Sequence, residues 1–295
     1  MTRAFVIVNP AAGGGRTGRL WPALRGDLHR LGLVFESVLT TAPGDATALA
    51  RCAAGDDLVV AVGGDGTLNE VLNGLVDPSR PPRVLAGILT GRGRDGCRNL
   101  GIAADPRLAA RRVLDGRERL VDVGVARWRG GGHRYFVAAA GAGFDAAVAR
   151  RAATRPGSGT VPYLLAVMDG LRTHRSVAVD ITVDGGAPWR GLVTAAVVAN
   201  GSHYGGGMRI APGADPADGF LDLVVLGALG RMELLRWLPA LYRGTHLRHP
   251  HVWTARARHV TLDALTVLPT HVDGEPTADT PVAVSVCAGA LRLRA

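Results

Sequence analysis

The chain of 295 residues contains no lysine, so all 34 of its Lys-or-Arg positions are arginine. That absence excludes a Walker-type phosphate lysine, a Schiff-base lysine and a lysine general base. Gly13-Gly14-Gly15-Arg16-Thr17 is therefore not a P-loop of the Gly-Lys-Ser/Thr kind. Cysteine is scarce. Cys52, Cys97 and Cys287 lie far apart without metal-ligand spacing, and they read as reduced, structural thiols. No apolar run reaches the length of a membrane span. Phe5-Val6-Ile7-Val8 is too short for the apolar core of a signal peptide and runs straight into Asn9-Pro10. A cytoplasmic protein is expected. Internal repeats and low-complexity linkers are also missing.

What is present is ample core and an excess of positive charge. Hydrophobic residues make up 47% of the chain, and its length suffices for two domains. The formal net charge of +9 favours anionic surfaces.

One stretch organises the rest. Leu58-Val59-Val60-Ala61-Val62 is a valine-rich run that predicts a buried strand. Leu68, Val71, Leu72 and Leu75 recur at helical spacing and predict a helix with one inward face. Gly63-Gly64-Asp65-Gly66-Thr67 lies between them. Glycines there let the backbone take positive φ and approach a ligand closely. The helix start behind them offers free N–H groups and a positive dipole end to phosphate. A carboxylate in that loop repels phosphate unless a cation stands between them. The local reading is a metal-assisted nucleotide or phosphate site, with a plain tight turn as the alternative.

Along the chain, strands at Ala4–Val8, Leu33–Leu39 and Val84–Leu89 alternate with helices. Leu20, Leu24, Leu28 and Leu31 mark one helix face, and Asp45 starts an alanine-rich helix running to about Ala54. This alternation predicts an α/β domain over residues 1–122, a Rossmann-like, doubly wound parallel sheet with ligand loops at the carboxyl ends of its strands. From about residue 122 the pattern changes to glycine-punctuated strands. They are expected at 120–127, 135–140, 177–183, 192–199, 220–226, 260–262 and 282–286. Helices are expected near 163–172 and 232–242, and a hairpin turn at Asp184-Gly185-Gly186. Residues 123–295 read as a mainly antiparallel β-sandwich.

The motifs resemble those of the diacylglycerol kinases, sphingosine kinases and their bacterial lipid-kinase relatives over nearly the whole chain. The central loop is similar to their nucleotide-binding motif, although NAD kinases and phosphofructokinases carry related loops. Asn9-Pro10 with Gly13 resembles the Asn-Pro-x-x-Gly loop of the family, and Thr40–Ala46 its second strand-to-helix junction. Gly91-Arg92-Gly93-Arg94-Asp95-Gly96-Cys97-Arg98 stands where the family has Gly-Thr-Gly-Asn-Asp-Phe-Ala-Arg. Here Arg92 and Arg94 replace threonine and asparagine, and Gly96 replaces the aromatic residue. Two guanidinium groups suit bidentate phosphate contacts, another anionic substrate, or a site that has lost phosphate transfer.

The resemblance implies that Asn9, Pro10, Gly13, Gly63, Gly64, Asp65, Gly66, Thr67, Gly91, Arg92, Gly93 and Arg94 hold ATP. It implies that Asp65, Asp95 and Asp122 organise Mg2+ and water near the phosphates. Asn200–Pro212 and Ala214–Asp222 resemble the Gly-Gly-Gly-Met and Asp-Gly-Leu-Asp elements, where Asp215 and Asp218 hold a structural magnesium or cap turns. Asp273 in Asp273-Gly274-Glu275 is implied as the base that activates the acceptor hydroxyl, with Glu275 assisting and Asp65 positioning the phosphates. A type I′ hairpin turn is the other reading of Asp-Gly. Gly141-Ala142-Gly143-Phe144-Asp145 also matches, placing Asp145 near a lipid head group and the segment through Tyr163-Leu164-Leu165 in an acyl-chain pocket or in the core.

The implied activity is ATP-dependent phosphoryl transfer to the hydroxyl of a diacylglycerol-like or other lipid alcohol, in an active site completed by both domains. The rivals are a kinase of a soluble hydroxyl-bearing metabolite and a non-catalytic nucleotide-binding protein. Expected partners are the lipid alcohol, transiently an anionic membrane at the inner surface, and a second copy of the chain as a homodimer. No nucleic-acid partner is expected.

Overall fold

Alternating apolar strands and one-sided helices build the amino-terminal part of the chain. The computed structural model describes residues 3–53, 58–155 and 160–295, and their side chains except those of residues 160–164. The chain divides into two units, Met1–Val123 with Cys287–Ala295, and Gly124–Val286.

In the first unit the strands are β1 (Arg3–Val8), β2 (Val34–Leu39), β3 (Leu58–Gly63) and β4 (Val84–Leu89). They pair in parallel in the order β4-β3-β1-β2. Every residue of β3 is buried, as its run of valines requires for a central parallel strand. The helices are α1 (Ala12–Arg30), α2 (Asp45–Cys52), α3 (Asp65–Leu75), α4 (Asp95–Leu100) and α5 (Pro106–Asp115). The expected end of α2 at Ala54 lies outside the described residues. The inward face of α1 is Thr17, Trp21, Leu24 and Leu28, rotated from the all-leucine face expected, because Trp21 turns in and Leu31 lies beyond the helix. The helix α5 was not expected, although Pro106 stands in its first turn and Asp105 caps it by accepting from the Arg107 and Leu108 amides, both at 2.9 Å.

The second unit is an antiparallel β-sandwich. Its strands begin with the end of β5 (Glu118–Trp128), then β6 (His133–Phe136), β7 (Ala139–Gly143), β8 (Val177–Val183), β9 (Trp189–Ala199), β10 (Leu221–Gly227), β11 (Val252–Ala257), β12 (His259–Ala264), β13 (Thr270–Val272), β14 (Glu275–Pro276) and β15 (Val282–Arg294). The order is β14-β13-β7-β9-β8-β12-β15, with β10 between β9 and β11. The α-helices α6 (Phe144–Ala153), α7 (Thr160–Thr173) and α8 (Arg231–Arg243) accompany it among the described residues. Successive side chains serve opposite cores. Val198 and Leu223 join one cluster with Phe136 and Ile181, while Val197 and Val224 join another with Ile210 and Leu234. The hairpin at Asp184-Gly185 forms as expected, with φ of 48° and 73°.

Three features depart from the sequence reading. The single strand expected at 135–140 is two strands, interrupted at Val137–Ala138. The helix α6 and the strand β11 are not among the expected elements, and β13 and β14 are expected only as the arms of the alternative Asp273-Gly274 hairpin. The last strand runs past Val286 to Arg294, and Arg292–Arg294 pair in parallel with Val84–Ala86 of β4. The first unit thus recruits the carboxyl-terminal residues, which a boundary at 122 assigns to the second. Leu291 and Leu293, both fully buried, drive that addition.

A Cβ at Gly74 in α3 would lie 2.4 Å from the Thr47 carbonyl and 2.6 Å from Ala50 Cβ in α2. Gly74→Ala is expected to destabilise the protein by about 1–3 kcal/mol, measured by urea unfolding, because two backbones must separate.

Candidate active site

The first unit brings three loops to the carboxyl ends of β1, β3 and β4. Asn9 follows β1. Its Nδ2 donates to Thr67 Oγ1 at 3.1 Å and its Oδ1 accepts from the Ala11 amide at 3.1 Å. Gly13, Gly14 and Gly15 then all take left-handed φ of 64°, 67° and 79°, a path that L side chains resist. Thr90 follows β4. Its amide donates to the Gly63 carbonyl at 2.7 Å, and its hydroxyl lies 2.5 Å from that of Thr17 on α1. Beyond it, Gly91 runs so close to Gly64 that a Cβ on Gly91 would sit 2.9 Å from the Gly64 Cα. Asn9, Gly63, Thr67 and Thr90 are therefore tied by short bonds, with Pro10, Gly13, Gly64, Asp65, Gly66 and Gly91 to Asp95 on the loops that carry them. Thr17 and Thr90, which the sequence reading missed, join α1 to the loop after β4. Their hydroxyls carry no motif signal.

Asp65 opens α3. Its Oδ1 accepts from the Gly96 amide at 2.8 Å. Its Oδ2 and that of Asp95 both approach Gly93, where a Cβ would lie 2.7 Å and 4.0 Å from them. Two carboxylates turned to one glycine suit Mg2+, which binds through one or two carboxylates and keeps several waters. Asp122 is buried, and its Oδ1 accepts from the Gly289 amide at 2.7 Å. Asp215 accepts from the Ala217 amide, while Asp218 accepts from the Phe220 amide and pairs with Arg256. These are turn-capping contacts. The expected set of Asp65, Asp95 and Asp122 does not close up: among the described residues no three His, Cys, Asp or Glu side chains are grouped to hold a metal.

Around this loop the charge is positive. Arg98 pairs with Asp95 at 2.8 Å. Arg92 is exposed and Arg94 half-buried with φ 56°, and neither forms an ion pair among the described residues. Burial raises the Cys97 thiol above its ordinary range, and Asp65 adds to the effect.

In the second unit Asp273 and Gly274 form the two-residue connection from β13 to β14, with φ of 49° and 82°. Both positive values match a type I′ hairpin turn. The carboxylate is also engaged. Its Oδ1 accepts from the Ala138 and Ala139 amides, each at 3.0 Å, and its Oδ2 from the Val137 amide at 3.3 Å. That contact is the physical reason for the break between β6 and β7. Glu275 is ion-paired with Arg134.

Asp145 begins α6 and borders an apolar cavity of about 170 Å³ lined by Phe144, Val148, Val167, Met208, Leu234 and Leu238, among others. Its Oδ2 accepts from His271 Nε2 at 2.8 Å and from the Tyr204 hydroxyl at 3.2 Å. His271 is fully buried and stacks on Tyr204 with the ring planes 3° apart. The Gly274 amide donates to its Nδ1 at 3.3 Å. Asp145 Oδ1 is buried without a well-formed hydrogen bond among the described residues. Burial pushes the Asp145 carboxyl up, but the His271 ring, the Ala146 amide and the Tyr204 hydroxyl outweigh it and hold the group below its ordinary range. His271 and Tyr204 were missed as site residues, since no spacing connects Asp145 to a partner 126 positions away. Of the expected pocket segment, the side chains of Tyr163 and Leu164 lie outside the described residues.

A parallel α/β unit with glycine loops at its strand ends, joined to an antiparallel sandwich, defines the fold class of NAD and diacylglycerol kinases. Residues 3–126 match the diacylglycerol kinase catalytic domain, and residues 138–295 match the YegS C-terminal NAD kinase beta sandwich-like domain. The chain is 31% identical to a diacylglycerol kinase of Mycobacterium tuberculosis, an alignment covering 99% of this chain and 94% of that one. It is 30% identical to a diacylglycerol kinase of Bacillus subtilis, covering 93% and 90%. In fold it is similar to a crystal structure of a diacylglycerol kinase from Bacillus anthracis, with a TM-score of 0.75 at 23% identity, covering 99% and 96%. An NAD kinase from Archaeoglobus fulgidus in complex with ATP gives a TM-score of 0.57 at 16% identity, covering 100% and 94%. The chain belongs to the diacylglycerol kinase family. Among the described residues, no helix is long and apolar enough to cross a membrane.

Gly91→Ala is expected to weaken nucleotide binding at least tenfold by calorimetric titration while the far-UV spectrum stays native, because the new methyl group forces the loops at Gly64 and Gly91 apart. A second expectation concerns Asp145. A carboxyl depressed in the folded state stabilises it fully above the ordinary value of 3.8 and loses that contribution as pH falls through the lower folded value. Asp145→Asn should lower stability at neutral pH by about 1–3 kcal/mol and flatten the acid limb of the stability–pH curve, read by urea unfolding.

Proposed function

We propose that this kinase transfers the γ-phosphoryl group of ATP to the hydroxyl of a lipid alcohol of the diacylglycerol class. The observation that carries the reading is the apolar cavity with one buried carboxylate, Asp145, at its wall. Such a pocket takes a hydrocarbon chain and offers the Asp145 carboxylate as an acceptor to a head-group hydroxyl.

In this reading the first unit holds the nucleotide. The glycine loops let the backbone approach the phosphates, and the start of α3 directs its amides at them. Asp65 and Asp95 are the residues that would hold Mg2+, which would supply positive charge against the phosphates. Asp122, Asp215 and Asp218 support the same fold through their turn and strand contacts. Arg92 and Arg94 contribute bidentate donors to phosphate oxygens, taking the part of the threonine and asparagine found elsewhere in the family. Asp273 orients the acceptor hydroxyl and takes its proton. Three backbone amides keep its carboxylate in place, and a loose phosphoryl-transfer transition state asks little basicity of it. Glu275 is steadied by Arg134 and assists.

Arg92 and Arg94, in no ion pair among the described residues, also favour a second reading, in which the acceptor is a soluble anionic alcohol. Transfer from γ-labelled ATP with magnesium to a panel of lipid and soluble alcohols separates the two. A labelled lipid is expected, reduced about 100- to 10,000-fold in Asp273→Asn. A labelled soluble product, with no lipid turnover, would select the second reading. ATP binding without transfer to any acceptor would sink both.

A further inference from the structure

The helix α8 presents two different apolar faces. Leu234, Leu238 and Leu241, spaced i, i+4 and i+7, line the cavity. Met232, Leu235 and Pro239, spaced i, i+3 and i+7, form a second stripe on the outer side, and Tyr242, which also lines the cavity, stands at its edge. The exposures of Met232, Leu235 and Tyr242 are 71%, 41% and 48%, so the stripe faces solvent. At three apolar side chains on one helical face, this is more than the single exposed hydrophobic residues of an ordinary surface. Arg231, Arg236 and Arg243 flank the stripe, all exposed and none in an ion pair among the described residues. The one acid of the helix, Glu233, is turned elsewhere. It reaches His249 Nε2 at 3.1 Å and caps its own helix through the Gly230 amide at 3.2 Å. The outer face is therefore apolar with a wholly cationic border.

The cavity behind α8 is small. Its volume of about 170 Å³ falls below the roughly 300–1,000 Å³ of sites that enclose a drug-sized ligand. A lipid with two acyl chains does not fit inside it, so most of the hydrocarbon must stay in an apolar medium outside.

We propose that the outer face of α8 docks on an anionic bilayer, with Met232, Leu235 and Tyr242 in the acyl boundary and Arg231, Arg236 and Arg243 among the head groups. The lipid then enters the cavity beneath the same helix with its remaining chain still in the bilayer. This deepens the lipid-alcohol reading and depends on it for its purpose, but the docking itself needs neither ATP nor an acceptor. Charge complementarity selects the partner: a neutral protein surface would leave three guanidinium groups unmatched, whereas an anionic bilayer matches all of them and accepts the apolar stripe.

The test is sedimentation of the full chain with vesicles, without nucleotide or diacylglycerol. The wild type is expected to bind mixed phosphatidylglycerol–phosphatidylcholine vesicles, to bind pure phosphatidylcholine far more weakly, and to lose binding as salt rises. Arg236→Glu should weaken binding by about fivefold or more, the worth of one arginine at an anionic surface. The double substitution Met232→Ser with Leu235→Ser should weaken it at least tenfold. Both changes are at exposed positions, and an unaltered thermal melt confirms that each variant is folded. Failure of the wild type to bind anionic vesicles overturns the proposal. So does undiminished binding by both variants, or a wild-type dimer in light scattering that the double substitution dissociates while vesicle binding persists. Because no turnover is measured, failure of docking and failure of the kinase reading are separate results.

Discussion

The close passage of backbone against backbone at Gly64 and Gly91 is the constraint on which the first unit depends. A side chain at Gly91 would hold the loops after β3 and β4 apart, whereas a methyl group at Gly64 would meet Gly91 only at an ordinary 3.9 Å. With glycine at position 91, the Gly63 carbonyl accepts from the amide and the hydroxyl of Thr90. Thr90 in turn reaches Thr17 on α1, and Asn9 reaches Thr67 on α3. A parallel sheet has its ligand loops at one edge by topology. Here short polar contacts convert that edge from several independent loops into one rigid rim. Asp65 and Asp95 inherit their orientation from it, because the Gly96 amide and the glycine at position 93 fix where their oxygens can point.

A buried charge organises the second unit in a similar way. An isolated carboxylate in an apolar wall is costly, and Asp145 is tolerated because His271 and Tyr204 both donate to one of its oxygens. The same histidine accepts from Gly274, inside the turn that carries Asp273. The turn and the cavity wall therefore share one hydrogen-bonded chain. Asp273 extends the chain by holding the amides of Val137, Ala138 and Ala139. A residue that resembles a catalytic group is at the same time a structural clamp, and the two roles are compatible because the clamp immobilises the carboxylate.

Most of the first unit was legible in the sequence. The valine run of β3, the glycine loop and the leucine spacing of α3 are local signals, and a local signal survives without knowledge of the fold. The succession of an α/β part and a β-sandwich was legible too, since periodicity changes from helical to alternating along the chain. The elements that were missed, or read only as an alternative, are short or chemically plain. The strand β13 has three residues, α6 is rich in alanine, and the apolar alternation of Leu291 and Leu293 is too brief to announce a strand that joins β4.

The sequence by itself determined the parallel α/β and β-sandwich classes, the three loops that the nucleotide reading rests on, and the absence of any lysine chemistry. Tertiary structure decided which side chains meet. Asp145 and His271 are 126 positions apart, and Thr17 and Thr90 are 73 apart. Only the folded chain could show that Asp65 and Asp95 converge while Asp122 is engaged by Gly289. The reason is physical: propensity and hydrophobic period act over a few residues, whereas a hydrogen bond between buried groups requires the sheet to bring its strands into register first.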